Sequence, residues 1–190
     1  MPPGRLLRRL LLSLARSRLG GLVVGLAFAH ASWLLPLGRV HESARLVAFP
    51  HPGLAEARGH TLIVPKRRIA SIVLALELLS AAEIDEFVEV GWRVAELVGI
   101  DDPVLIANWG SHQAVGQVHF HVLPRSGVRE ALARAAAEAR PGDDSQLPLR
   151  ERMRALLSDH DATSAGGFSI LLDGIEGGPD ATTVLLDVTP

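Results

Sequence analysis

The sequence predicts one α+β domain in which an antiparallel sheet carries a long helix. Three observations predict this fold class. Polar and apolar residues alternate over residues 117–122, as on a half-buried strand. Two short apolar runs, residues 46–49 and 61–64, are separated by a loop short enough for antiparallel pairing. Ser80 and Glu83 have the spacing of a capping box, and an apolar stripe at helical spacing follows them.

The composition excludes several classes of site. The chain has no cysteine, which excludes disulfides, thiolate zinc sites and a cysteine nucleophile. Residues 1–40 carry six arginines and no acidic residue, so the rest of the chain carries 13 basic and 21 acidic residues, a net charge of −8. The chain after residue 40, with that net charge, is not expected to bind nucleic acid. Any attraction to anionic surfaces is expected from the N-terminal arginines.

The N-terminal segment allows three interpretations. Residues 5–19 have the pattern of a basic amphipathic helix, which can lie on a membrane surface. The uncharged residues 20–38 that follow could pack onto the domain, span a membrane or serve as a signal peptide. The expected location is therefore cytoplasmic, with membrane association through the N-terminal helix as an open alternative.

The alternating stretch carries the candidate chemistry. It places Gln117, His119 and His121 on one face of the predicted strand and the apolar residues between them on the other. Neighbouring members of this row are about 7 Å apart. Such a row can be a solvated strand face or a functional site. The segment just upstream, residues 108–115, is rich in hydrogen-bonding side chains, which favours a site.

These residues resemble the motif of the histidine triad (HIT) family of nucleotide hydrolases and transferases. The family pattern is His-x-His-x-His followed by two apolar residues, and this chain has Gln117 at the first position, then His119 and His121. Residues 59–66 resemble the family's H-x-L-V/I-x-P-K strand, and residues 42–49 match a third, weaker segment. The resemblance covers residues 24 to 125, with the three motifs in the family's order.

The register within the motif has two solutions. In the first, Gln117, His119 and His121 hold the triad positions, and their interval from Asn108 is two residues shorter than the commonest family spacing. In the second, which needs no gap, the three positions are His119, His121 and Leu123. We favour the first, because the family's third histidine runs directly into Val-Leu/Ile-Pro-Arg, as His121 does.

The resemblance implies a HIT-like fold with an antiparallel sheet of about five strands and packed helices. The two helices of the C-terminal extension are expected over residues 128–140 and 149–158, and a β-hairpin over 168–172 and 182–188. The hairpin could add to the sheet edge or cover the site. The expected divisions are a basic N-terminal helix (1–23), a HIT-like domain (24–125) and a C-terminal extension of two helices and a hairpin (126–190).

The resemblance also implies roles for single residues. His119 would attack the α-phosphate and form a nucleotidyl-histidine that water hydrolyses. His121 would hydrogen-bond the phosphate oxygens and help to handle the proton, and His60 would hydrogen-bond towards the catalytic histidine. Gln117 can donate a hydrogen bond but carries no charge. The implied substrate-binding residues are Asn108, His112 and Gln113.

The resulting prediction is hydrolysis or transfer at a nucleoside phosphoramidate or a (di)nucleotide phosphoanhydride, with no cofactor and no obligatory metal. Two alternatives stay open. One is a nucleotide-binding module without catalysis, and the other is a metal site of His119 and His121 with His60 or His112. Homodimers are common in the family, so a second copy is an expected partner, beside the nucleotide and a membrane surface.

Overall fold

The computed structural model describes residues 38–51, 59–138, 147–159, 166–174 and 183–187. The predictions for the helix at 5–19 and for residues 20–37 lie outside the described residues. Among the helices that are described, none has the length and apolar character needed to cross a membrane.

Within the described residues, one antiparallel sheet of seven strands organises the fold, which confirms the predicted α+β class. About five strands were expected, and the two more are those of the C-terminal hairpin. The spatial order is β1-β2-β3-β5-β4-β6-β7. The strands are β1 (His41–Glu42), β2 (Leu46–Pro50), β3 (Thr61–Pro65), β4 (Pro103–Gly110), β5 (Phe120–Pro124), β6 (Gly167–Asp173) and β7 (Thr183–Asp187).

Helices pack on both faces of this sheet. The long helix α2 begins with the predicted capping box of Ser80 and Glu83 and ends at Gly99. Gly91 lets it approach the sheet closely, since a Cβ there would lie 2.5 Å from Leu105 Cδ1. The helices are α1 (Ile72–Leu78), α2 (Ala81–Val98), α3 (Arg129–Glu138) and α4 (Leu149–Asp159), with a 3-10 turn at Arg125–Gly127.

The two faces of the sheet serve different purposes. One packs against α1, α2 and α4 in the main core, where the rings of Phe87 and Phe120 are 5.1 Å apart. On the other face, Leu132 and Ala135 of α3 pack on β4 and β6. Because side chains alternate along each strand, His121, the neighbour of the core residue Phe120 on β5, points to this second face.

The C-terminal hairpin extends the sheet, which answers the question that the sequence left open. Its strand β6 pairs with β4 along the whole of both strands, from Val104 opposite Asp173 to Gly110 opposite Gly167. The rings of Trp109 and Phe168 stack 5.2 Å apart within this pairing. Without the hairpin, β4 would be the edge of the sheet.

Strand β5 begins later than the alternation predicts. It was expected from residue 117, but the ladder begins at Phe120. The Gln117 N–H donates to the Val115 carbonyl at 2.8 Å, and the Val118 N–H donates to the Ile69 carbonyl at 2.7 Å. These two bonds hold the chain in a tight turn beside the segment before α1, so it joins the ladder only afterwards.

Candidate active site

The site residues meet because their strands are in register. His121 on β5 lies opposite Ile106 on β4 and Leu62 on β3. Residues two positions away on a strand share its face, so Asn108 and His60 point to the same side of the sheet as His121. The predicted residues His60, Asn108 and His121 are thus brought together, and the ring centroids of His119 and His121 lie 4.8 Å apart.

His119 is a neutral imidazole with one fixed nitrogen. Its Nδ1 lies 2.8 Å from the carbonyl oxygen of Gln117. A carbonyl can only accept, so Nδ1 carries the hydrogen and Nε2 keeps its lone pair. Burial lowers the pKa of His119 and outweighs the opposing effect of the carbonyl. An unprotonated Nε2 is the form that can act as a nucleophile.

His121 has hydrogen-bonding partners at both ring nitrogens. Asn108 Nδ2 lies 3.3 Å from Nε2, and His60 Nε2 lies 2.8 Å from Nδ1. Because the Asn108 amide nitrogen can only donate, Nε2 is the accepting nitrogen of His121. Neutral His121 therefore carries its hydrogen on Nδ1 and donates it to His60.

Burial keeps this pair of imidazoles uncharged. Burial, with smaller contributions from the neighbouring rings of His119, His60 and His51 in that order, lowers the pKa of His121 to about 2. Burial likewise lowers the pKa of His60 to about 4, with smaller contributions from His51 and His119. Both rings are neutral at pH 7, which agrees with the tautomers that the hydrogen bonds require.

Asn108 connects His121 to the C-terminal hairpin. Its Oδ1 accepts from the hydroxyl of Ser169 at 2.7 Å. The same hydroxyl oxygen lies 2.9 Å from Nδ1 of His112. A continuous row of hydrogen bonds thus runs through His60, His121, Asn108, Ser169 and His112, and we call this row the relay. Ser169 has no counterpart in the sequence predictions, because nothing local indicates that β6 pairs with β4.

The two predicted glutamines have other partners. Gln117, 1% exposed, donates from Nε2 to the carbonyls of Pro65 (3.3 Å) and Arg67 (3.0 Å) and accepts from the Ile69 N–H (3.3 Å). Its side chain therefore ties β5 to the segment after β3, and only its carbonyl serves His119. This differs from the expected row of three side chains, because residue 117 precedes the ladder.

Gln113 is likewise bound to backbone. Its Nε2 donates to the carbonyls of Ala70 and Val115, each at 2.6 Å. The loop between β4 and β5 is thereby fastened to the segment that leads into α1. His112 stands next to it but joins the relay, so the two neighbours expected to bind substrate have separate partners.

His51 is the second residue that the sequence predictions missed. Its ring stacks on that of His60, with the centroids 4.4 Å apart. His51, His60 and His121 are a group whose candidate metal-binding atoms lie within 4.8 Å of one another. Among the described residues this trio, rather than a set with His119 or His112, is the candidate metal cluster. The placement of His51 beside His60 follows from the pairing of β2 with β3.

Comparison with known proteins gives the family. Residues 39–128 match the HIT domain, and no curated protein matches the chain. A HIT family hydrolase from Clostridium thermocellum is 28% identical, with 54% of this chain and 88% of that chain covered and a TM-score of 0.45. A HIT family hydrolase from Legionella pneumophila is 25% identical, with 52% and 89% covered and a TM-score of 0.44.

A wider part of the chain is similar to a third structure. A HIT family protein from Bacillus anthracis is 18% identical, with 74% of this chain and 95% of that chain covered and a TM-score of 0.46. The family match begins just before β1 and ends after the 3-10 turn, so it contains His60, Asn108, His119 and His121 but not Ser169. Residues 39–128 are therefore a HIT domain, which confirms the family that the sequence motifs predict.

Proposed function

We propose that the protein is a HIT-type nucleotide hydrolase or transferase acting on a nucleoside phosphoramidate or a (di)nucleotide phosphoanhydride, with His119 as the nucleophile. One observation carries the proposal. His119 is neutral and its Nδ1 hydrogen is held by the Gln117 carbonyl, so the lone pair of Nε2 is aimed by the backbone rather than by a mobile side chain.

The proposed reaction has two displacements at phosphorus. In the first, the Nε2 lone pair forms an N–P bond with the α-phosphorus, and the bond to the leaving amine or phosphate breaks with its electron pair. The leaving group takes up a proton from solvent. In the second, a water oxygen forms the new P–O bond, the N–P bond breaks, and the proton of the water is released. A second acceptor in place of water would give transfer.

The Gln117 carbonyl supports the intermediate as well as the nucleophile. Once Nε2 bonds to phosphorus, the ring of His119 carries a positive charge. Its Nδ1–H then becomes a charge-assisted donor to the same carbonyl at 2.8 Å. The intermediate is thereby stabilised without any movement of the backbone.

His121 and Asn108 are the proposed contacts to the phosphate. Their mutual hydrogen bond, at 3.3 Å, is the longest in the relay, where the other bonds measure 2.7 to 2.9 Å. A phosphate oxygen that accepts from the Asn108 amide would replace this weakest bond. Gln117 is assigned no contact with phosphate, since its amide is bound to backbone.

The test is turnover of a panel of adenosine and guanosine phosphoramidates and diadenosine polyphosphates. We expect His119→Ala to lower kcat/KM by about 10⁴-fold, because the nucleophile is removed. His41→Ala, at a histidine on the far strand β1, is the matched control and should leave the rate unchanged. Equal turnover in His119→Ala and the parent protein would overturn the mechanism.

A nucleotide-binding module without catalysis is the alternative outcome of the same panel. It predicts binding by calorimetry in the parent protein and no turnover with any member. The Gln117 amide, which neither reaches the imidazoles nor carries charge, is the feature that favours this outcome.

The histidine trio favours a metal site as a second candidate function. Neutral imidazoles are good ligands for zinc and copper, and His51, His60 and His121 are grouped closely. Geometry weighs against an ion there, however. His60 Nε2 and His121 Nδ1 are 2.8 Å apart, whereas two nitrogens on a tetrahedral zinc are about 3.3 Å apart. Stoichiometric metal in untagged protein, lost in His51→Ala, would establish this site.

A further inference from the structure

We propose that the C-terminal hairpin completes the active site in cis: Ser169 is a positioning residue that fixes the carboxamide of Asn108 and, through it, the tautomer of His121. The catalytic part of this inference rests on the proposed function. The positioning part can be tested in the free protein, without substrate. Ser169 lies outside the matched HIT domain, so the inference gives the C-terminal extension a role in the chemistry.

The hairpin is fitted tightly to the start of the loop between β4 and β5. Ser169 lies opposite Asn108 in the β4–β6 pairing. Gly110 has φ +63°, and a Cβ there would lie 2.3 Å from the Gly166 carbonyl oxygen. The Ser111 N–H donates to that same oxygen at 2.8 Å. These close contacts lie at the end of β4, where the loop to β5 starts. They fix the register of β6 against β4 and so the position of Ser169 opposite Asn108.

The opposite end of the pairing is also held. Arg125, directly after β5, forms ion pairs with Asp102 before β4 and with Asp173 at the end of β6. The three strands that carry His121, Asn108 and Ser169 are thereby joined at their far ends. Ser169 is positioned by the sheet at both ends rather than by a mobile loop.

The hydrogen bonds of Ser169 have one direction. Its hydroxyl donates to Asn108 Oδ1, so its oxygen must accept from Nδ1–H of His112. With Oδ1 of Asn108 held by the hydroxyl, the amide nitrogen faces His121. His121 must then present an unprotonated Nε2 and keep its hydrogen on Nδ1, facing His60.

Loss of the hydroxyl would remove this preference. If the Asn108 carboxamide turned over, its oxygen would face His121 Nε2, which would need a hydrogen, and His121 Nδ1 would accept from His60 instead. The two arrangements satisfy the His60–His121–Asn108 part of the relay equally well. In the parent protein the whole row could reverse only if His112 also lost its hydrogen from Nδ1, so the Nδ1–H tautomer of His112, acting through the Ser169 hydroxyl, selects between them. The selected tautomer leaves the Asn108 amide hydrogens as the donors that a phosphate oxygen would meet.

The first test reads the tautomer in the free protein by ¹⁵N NMR of the histidine rings at neutral pH. We expect His121 of the parent protein to be the Nδ1–H tautomer, and Ser169→Ala to raise the Nε2–H population about tenfold, the factor equivalent to one hydrogen bond. Ser169→Thr keeps the hydroxyl and should restore the parent spectrum. An unchanged His121 tautomer in folded Ser169→Ala would overturn the proposal.

The second test reads the chemistry. Ser169→Ala should lower kcat about tenfold with a smaller change in KM, and Ser169→Thr should restore kcat to within about twofold. Thr183→Ala removes an exposed hydroxyl from the same hairpin and should leave both constants unchanged, which separates positioning from hairpin stability. A parent protein without turnover would refute the proposed function, while the NMR measurement would still decide the role of Ser169.

Discussion

Two glutamines and two histidines lie within a few residues of one another between positions 112 and 121, and they differ in their hydrogen-bonding partners. The amides of Gln113 and Gln117 bond to backbone groups of residues 65–70 and of Val115. His112 and His121 bond to other side chains in the relay. The glutamine amides hold the loop between β4 and β5 against the segment before α1, whereas the histidine rings of the relay can change hydrogen-bonding partners. The glutamine side chains therefore position the loop, and the proposed chemistry rests on the histidines.

Gln117→Ala should give the largest effect on stability among changes to the glutamines. The variant loses three hydrogen bonds, two of them buried, between Gln117 and residues 65–69, which we expect to lower the free energy of unfolding by about 3 kcal/mol. Urea denaturation measures this. Gln117→Glu should be similarly destabilised, because a carboxylate cannot donate to the carbonyls of Pro65 and Arg67.

The rate of the folded Gln117→Ala protein sharpens the same comparison. We expect it to stay within about tenfold of the parent, since the alanine keeps the backbone carbonyl that holds His119. Unchanged stability with a rate loss as large as that of His119→Ala would instead place the Gln117 side chain in the chemistry.

The buried histidines should make the stability of the protein depend on pH. Folding lowers the pKa of His60 and His121, so the unfolded chain, whose histidines titrate near pH 6.5, binds more protons below that pH. Stability therefore falls as the pH falls, and we expect the melting temperature to drop by about 5 °C from about pH 7.5 to about pH 5.5.

His60→Gln is the control for the pH experiment. It removes one of the three depressed histidine pKa values, those of His60, His119 and His121, so its melting temperature should depend less steeply on pH over the same range. Carboxylates titrate mainly below that range. A melting temperature that is flat or rises towards pH 5.5 would contradict the neutral assignment of the buried pair.

Gln113→Met should have the smallest effect. Methionine keeps the length of the side chain and loses the amide, so only the two bonds to Ala70 and Val115 disappear from a partly exposed loop. We expect a loss of about 1 kcal/mol in unfolding free energy by urea denaturation. If Gln113→Met loses nucleotide binding at unchanged stability, Gln113 belongs to the substrate site, as the sequence predicts.

The fold and half of the site could be predicted from the sequence because their signals are local. Alternation identified the face that carries His119 and His121, and the capping box located the start of α2. The pairing of β2 with β3 followed from their short separation, and this pairing brings His60 towards the site.

The other half depends on contacts between distant segments. Alternation continues through Gln117, but hydrogen bonds to Val115 and Ile69 keep that residue out of the ladder. Ser169 sits in a strand that the sequence predicts, yet its partner strand is set by long-range pairing. His51 follows β2 in a segment with two prolines, which concealed its place beside His60.

The most direct measurement of the central claim is the mass of the intact protein after brief mixing with an adenosine phosphoramidate. The reaction is quenched at neutral or alkaline pH, because the bond between histidine and phosphorus is labile in acid. We predict a nucleotide-sized increase in mass that is absent in His119→Ala and present in Gln117→Ala and His41→Ala. An adduct that persists in His119→Ala would contradict the assignment of His119 as the nucleophile.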